Sequence, residues 1–183
     1  MRHFSLVILA IIGFHSSTFA QLPEPTARTF KRTKNVFTLH RAGFLSADET
    51  PFVVSTIVGA LLTDHFAAGI GGEYDSYEHG AIVPLLLTLR ANTSNRIVSP
   101  TFSLELAYLK STQTNRFVGW RDGVGVALGT GAEAYLSNRF ALQFEINGHV
   151  RWHETNRWYG ASKDRATGWG FTFGVSYHPK RAA

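Results

Sequence analysis

Cysteine is missing altogether from the 183 residues of this chain. Neither a disulfide nor a lipid-modified cysteine is therefore available, and the fold has to hold through a sheet that closes on itself or through a sufficient core. Long apolar runs are missing too. The longest, FSLVILAIIGF at 4–14, is too short to cross a bilayer as a helix. Beyond residue 34 no stretch repeats its apolar positions at three and four, which excludes a long amphipathic helix. A phosphate loop or dinucleotide fingerprint is absent as well, because the glycines at 69–72 and 123–131 lie inside alternating stretches with no helix behind them. Charge is sparse, at 17% Asp, Glu, Lys and Arg, and the net +5 is mild. Such a balance does not call for a nucleic acid partner.

What is present begins with an export signal. Arg2 and His3 precede the apolar run, and the small residues Thr18 and Ala20 suit cleavage before Gln21. Residues 1–20 are accordingly set apart as a signal peptide. Without them 17 basic and 13 acidic side chains remain, a net +4. Residues 21–34, QLPEPTARTFKRTK, show no period, hold Arg28, Lys31, Arg32 and Lys34, and read as an extended lead-in.

The remainder alternates. From 139 to 153, RFALQFEINGHVRWH, the side chains of Phe140, Leu142, Phe144, Ile146, Val150 and Trp152 fall on one face and those of Gln143, Glu145, Asn147, His149 and Arg151 on the other. A sustained period of two is a β-strand. Seven more strands follow from the same alternation and from the turn residues between runs, near 35–44, 52–62, 66–77, 81–90, 98–110, 120–136 and 168–178. Eight antiparallel strands return the chain to the rim where it began. Connections at 62–65, 91–97 and 137–138 are compact, and those at 45–51, 75–80, 111–119 and 154–167 are expected to be loopier. One rim should then carry turns and the other loops.

Which face points inward decides the class. The interior of eight strands is just filled by side chains, so a soluble barrel would turn Phe, Leu and Trp in and its charges out. Here the face opposite the large apolar residues is Gly, Ala, Ser and Thr punctuated by Glu73, Arg90, Glu105, Glu133, Glu145, His149 and Arg151. Glycines of the sixth strand would leave room for the bulky polar side chains of the seventh, and buried acids require cationic partners such as Arg90, Arg151 and His149. The expectation is therefore inverted, with the apolar face toward lipid and the charges forming a network in the lumen. Phe66, Tyr108, Phe140, Trp152, Trp169 and Tyr177, near strand ends, suit interfacial girdles.

The fold class expected is all-β, an eight-stranded antiparallel up-and-down transmembrane β-barrel over 35–178, after a cleaved signal peptide and before a tail at 179–183. In GIGGEYDSY (69–77), PLLLTLR (84–90) and YLSNRFALQFE (135–145) the chain resembles small outer-membrane β-barrel proteins of Gram-negative bacteria, those of the Bacteroidetes group in particular. The resemblance covers almost all of the chain after residue 20. It implies an outer-membrane location, a periplasmic lead-in, the barrel assembly machinery and lipopolysaccharide as partners, a monomer, and no cofactor. One departure stands out: Tyr177 is followed by HPKRAA, where many such barrels end on an aromatic residue.

The function expected is a structural or surface-interaction role in the cell envelope, with a lumen too full for a diffusion pore. Two alternatives stand beside it, a lipid A-modifying outer-membrane enzyme and a soluble secreted barrel that binds an apolar ligand. The deacylase type of enzyme would require a His-x-Ser pair on one strand, and none occurs after residue 20. His153 with Glu154, Arg157 and Trp158, and His79 with Glu78, are the densest reactive groupings, yet neither has a nucleophile at a readable spacing, so no catalytic residue is assigned. His149 and His153 flank Arg151 on one strand face and diverge, which assigns no metal. Arg116, Trp120, Arg121, Arg157, Trp158, Lys163 and Arg165 form a basic, aromatic rim expected to touch the phosphates and sugars of lipopolysaccharide.

Overall fold

A computed structural model of the chain describes residues 36–46, 50–77, 80–93, 97–112, 119–137, 139–157 and 160–178, with the backbone alone at 119–121 and 154–164. The expected signal peptide (1–20), lead-in (21–34) and tail (179–183) lie outside the described residues. The strands are β1 (Val36–Ser46), β2 (Phe52–Leu61), β3 (Phe66–Tyr77), β4 (Gly80–Asn92), β5 (Val98–Ser111), β6 (Gly119–Tyr135), β7 (Phe140–Arg157) and β8 (Gly160–Tyr177). Each pairs antiparallel with its neighbour in sequence, and β8 returns to β1, with Thr38 opposite Tyr177 and Ser46 opposite Trp169. The sheet is a closed barrel.

Alternation sets the two surfaces. Along β4, Leu85, Leu87 and Leu89 are exposed while Leu86, Thr88 and Arg90 are buried; along β7, Phe144 and Ile146 are exposed while Gln143, Glu145 and Asn147 are buried. The outer wall is therefore predominantly apolar, with Ile70 at 68% exposure and Leu128 at 64%. Aromatic pairs mark its borders. Phe44 meets Phe52 edge-on near the tops of β1 and β2, and Phe140 meets Tyr177 at the opposite end, with ring centroids 5.4 and 5.0 Å apart.

Two of the turns follow one design. In Leu62-Thr63-Asp64-His65-Phe66 and in Leu136-Ser137-Asn138-Arg139-Phe140, the Leu amide donates to the Phe carbonyl, at 2.8 and 3.0 Å. In both, the amide of the Phe also donates to the hydroxyl at the second position, Thr63 at 3.0 Å and Ser137 at 3.2 Å. The hydroxyl takes up an amide that a tight reversal would otherwise leave bare.

The opposite rim differs from the expectation. The segment 154–167 is not a loop, because β7 and β8 run on as one hairpin until Arg157 pairs with Gly160. Likewise 75–80 is mostly strand, with Tyr77 opposite Gly80. The sequence there lacks a sustained apolar alternation and so reads as a loop, although the backbone ladder continues. The rims differ in strand length instead: β6, β7 and β8 have 17, 18 and 18 residues, whereas β1 and β2 have 11 and 10.

Glycine enters the interior face where strands crowd. A Cβ on Gly131 of β6 would land on the carbonyl oxygen of Phe144 and lie 2.9 Å from the Cα of Glu145, while one on Gly148, on the outer face of β7, would meet nothing within 4 Å. Gly131→Ala should therefore cost about 1–3 kcal/mol through a forced shift of β6 against β7. Gly148→Ala should be neutral or stabilising by about 0.5 kcal/mol, since glycine weakens a strand interior. Urea unfolding of the two variants in lipid vesicles compares them, and equal effects would contradict the close approach at Gly131.

Candidate functional site

The barrel interior is the one place where charged side chains are gathered and shielded from water. β1 contributes Arg41, because its odd-numbered residues face inward and the run Phe37, Leu39, Arg41, Gly43 and Leu45 is buried. Arg41 is 3% exposed, and its guanidinium reaches across to Glu105 of β5 through two bonds, Nη1 to Oε1 at 2.6 Å and Nη2 to Oε2 at 3.2 Å. Its Nε donates to Ser55 of β2 at 3.0 Å. Glu145 of β7 lies 3.6 Å from the same guanidinium and Glu73 of β3 lies 3.9 Å away. One arginine therefore ties four other strands together. A bidentate geometry of this kind is the strongest that a guanidinium and a carboxylate can make.

A second arginine works above it. Arg151 of β7 pairs with Asp75 and, at 3.3 Å, with Glu73, both on β3, and also donates to the hydroxyl of Tyr77 at 3.3 Å. Glu73 therefore sits between the two guanidinium groups. Below Arg41 the network becomes a relay of hydrogen bonds. Arg90 donates to Gln143 Oε1 at 2.6 Å, Gln143 donates to Glu145 Oε2 at 2.9 Å, and Ser103 donates to Glu145 Oε1 at 2.9 Å. Glu133 occupies a separate niche near the turn-bearing rim, where it accepts from Asn92 at 2.7 Å, Ser176 at 2.9 Å and the Tyr135 hydroxyl at 3.0 Å.

All seven residues expected in the lumen face it, but their roles differ. Glu73, Glu105, Glu145 and Arg151 share the ion-pair network, Arg90 joins it through Gln143, and Glu133 accepts from Asn92, Ser176 and Tyr135. His149 is buried in the same space with its Nδ1 bonded to nothing among the described residues. The sequence reading missed Arg41 and Asp75. Continuing the parity of Glu73 by two residues would have found Asp75, which instead reads as part of the turn-like Asp-Ser-Tyr-Glu-His-Gly run. For Arg41 there was no such guide, since β1 carries apolar residues on both faces.

The lumen is also less polar than expected. Phe37, Leu39, Ile57, Leu61, Ala67 and Leu86 form a buried apolar cluster on the β1–β4 side. Opposite it stand Ser99, Thr101, Ser103, Glu133 and Gln143. Between the two arginines a cavity of about 30 Å³ is lined by Arg41, Glu73, Glu105, His149 and Arg151 among others. That is room for about one or two waters and for no solute. The interior is packed rather than open.

Of the two reactive groupings the structure describes the side chain of His153 alone. His153 is buried in the lumen while Trp152 beside it is exposed on the outer wall, and His79 lies outside the described residues. No group of three or more His, Asp or Glu side chains that could hold a metal occurs among the described residues. Of the expected rim residues, Arg116 and Trp158 lie outside the described residues. Trp120 and Arg121 fall on β6, Arg157 on β7 and Lys163 and Arg165 on β8, so these five belong to strands rather than loops. Arg165 is exposed directly opposite Trp152. A further polar cluster, not anticipated, joins Asp122 to Lys110 at 2.7 Å and to the Tyr108 hydroxyl at 2.9 Å on the outer face of β5 and β6.

Solved structures that share this geometry include outer-membrane proteins of bacteria and a de novo designed transmembrane β-barrel. The N-terminal β-barrel domain of Pseudomonas aeruginosa OprF superposes with a TM-score of 0.54 at 16% identity, covering 79% of this chain and 98% of that one. Neisserial surface protein A gives 0.57 at 10% identity, covering 78% and 94%. The fold is that of an outer-membrane barrel. The outer membrane protein OprG of P. aeruginosa gives 0.56 at 12% identity, covering 83% and 99%. Identities this low carry the fold and no activity. No protein-family model matches the sequence, and no curated protein does.

Arg41→Met should destabilise the barrel by about 3–5 kcal/mol, because it leaves buried carboxylates without their cation. Adding Glu105→Gln should return part of that loss, since the pair is then replaced together. A double-mutant cycle in vesicle-bound unfolding measures the coupling, and additive effects would show that the two groups do not act as a pair.

Proposed function

We propose that the chain is exported to the bacterial outer membrane and serves there as a closed, non-conducting barrel in a structural or surface-interaction role in the cell envelope. The observation that carries this reading is the inversion of the two faces. Leu85, Leu87, Leu89, Phe144, Ile146 and Trp169 are exposed around the wall while arginines and carboxylates are buried inside. Water would penalise such a wall, whereas hydrocarbon favours it. A soluble barrel built to hold an apolar ligand needs the reverse arrangement and an open interior. In the proposed orientation the Thr63 and Ser137 turns and both ends of the barrel face the periplasm, as a signal peptide at 1–20 and a lead-in at 21–34 would require. The overhanging β6–β8 sheet then faces outside, and the Bacteroidetes-like turn and strand at 135–145 fit a Gram-negative envelope.

Membrane fractionation is expected to recover the protein with outer membranes, released only by detergent, with a gel mobility that shifts on boiling. Recovery from the soluble periplasm without detergent would refute the reading.

The outer rim is the proposed contact with lipopolysaccharide. Arg165 beside Trp152, and Lys110 with Asp122 and Tyr108, put charge and aromatic surface on the outer face at the upper end of the wall. Arg116, Trp120, Arg121, Arg157, Trp158 and Lys163 belong to the same proposal by their place in the chain. Each cation near an anionic membrane surface contributes about 1 kcal/mol. Replacing Arg157, Lys163 and Arg165 together with Gln should weaken lipopolysaccharide binding at low salt by at least tenfold, and undiminished binding would remove the rim from consideration.

A further inference from the structure

The outer wall is not uniform. Across β4 and β5 it presents Leu85, Leu87, Leu89, Phe102, Leu106 and Tyr108, and across β7 and β8 Phe and Trp dominate. Across β1 and β2 the exposed Val36, Phe44, Phe52, Val54 and Val58 are interrupted by Thr38, His40, Ala42, Thr56 and Ala60. His40 and Thr56 lie opposite each other in the β1–β2 register, exposed on the outer face, with His40 Nδ1 3.0 Å from Thr56 Oγ1. Neither side chain has another hydrogen bond among the described residues. Gly72 follows in the same row on β3, so the row His40–Thr56–Gly72 forms a shallow step in the wall.

The pair lies well inside the apolar band. On β1, His40 stands two residues above Thr38, which is level with the aromatic border at Tyr177, and four below Phe44, which meets Phe52 at the other border. An imidazole and a hydroxyl at that depth are costly unless their hydrogen-bonding groups are matched. The bond at Nδ1 satisfies one ring nitrogen and leaves Nε2. Acyl chains can neither donate nor accept, so only a protein surface at the same depth can match it.

From this we infer that the β1–β2 face is an in-membrane contact between two copies of this chain. A two-fold axis along the membrane normal brings a second His40–Thr56 pair to the same depth with no further requirement, whereas an unrelated partner would have to place a hydroxyl there independently. The complement is also chemically closed. An uncharged imidazole has one donor and one acceptor nitrogen, and each threonine hydroxyl both donates and accepts, so the Nε2 of each copy can bond the threonine of the other. Val54 and Val58, either side of Thr56, supply apolar surface for the same contact. The inference depends on the membrane reading above.

The absence of cysteine makes the test direct. Thr93→Cys, in the exposed turn after β4, provides a single labelling site, and donor- and acceptor-labelled copies are mixed in phosphatidylcholine vesicles at rising lipid-to-protein ratios. Energy transfer should persist on dilution for the otherwise native chain and fall at least fivefold toward the random-encounter level for His40→Leu. Leu87→Ala, on β4, should behave as the native chain does. Transfer that vanishes on dilution in the native chain, or that survives in His40→Leu, would overturn the inference. The boiling-dependent gel shift of the same vesicles keeps the two readings apart: failure to insert counts against the membrane barrel, whereas folded insertion without transfer counts only against the contact.

Discussion

Everything in this molecule depends on leaving no backbone amide or carbonyl without a partner along the wall. In hydrocarbon each such group costs several kcal/mol, and a sheet with an edge cannot meet that demand. The pairing of β8 with β1 meets it here. It explains why strand continues through Gly170, Gly174 and Gly43, which contribute no side-chain packing of their own. On the inner face a Cβ at Gly43 or Gly174 would run into the neighbouring strand's carbonyl oxygen or side chain, so the absence of side chains is what lets β1 and β8 close.

Closure in turn creates a narrow interior that has to be filled. The chain fills it in two ways: an apolar cluster under β1–β4, and polar groups under β5–β8 with the guanidinium groups of Arg41 and Arg151 spanning the bore. Charges buried in this way stabilise less than an equally well packed apolar core would, but they are costly to leave half-paired. That asymmetry favours one register, because a slip of a single residue in β7 would turn Glu145 and Arg151 to the outside and Phe144 and Trp152 to the inside.

How much of this was legible in the sequence follows from where selection for alternation acts. β4, β5, β7 and the lower parts of β6 and β8 separate a lipid-like face from a lumen face, and their patterns gave both the strands and the inward set from Arg90 to Arg151, to which the alternation of β3 added Glu73. On β1 the pattern is blurred, since Phe37 and Leu39 face in while Val36 and Phe44 face out, and Arg41 was hidden with it. Asp75 was hidden by turn-forming neighbours. The long hairpin above Trp152 was unreadable for a different reason: its sequence carries no sustained apolar alternation, although the backbone ladder runs on until Arg157 pairs with Gly160. The polar outward pair His40–Thr56 could not be read as such until the register put the two residues side by side.

The ion pairs also impose an order in time. Arg41 and Glu105 are 64 residues apart, and Arg151 and Asp75 are 76 apart. Neither pair lies within a hairpin: Arg41 of β1 reaches β5, and Arg151 of β7 reaches β3, so each joins strands that are not neighbours in the sheet. Contacts so distant in sequence are paid for in loop-closure entropy before they contribute anything, which makes them late and slow. The lumen charges thus act as a latch across the bore: their pairing requires that strands distant in the sheet face one another, which the closed barrel alone provides here.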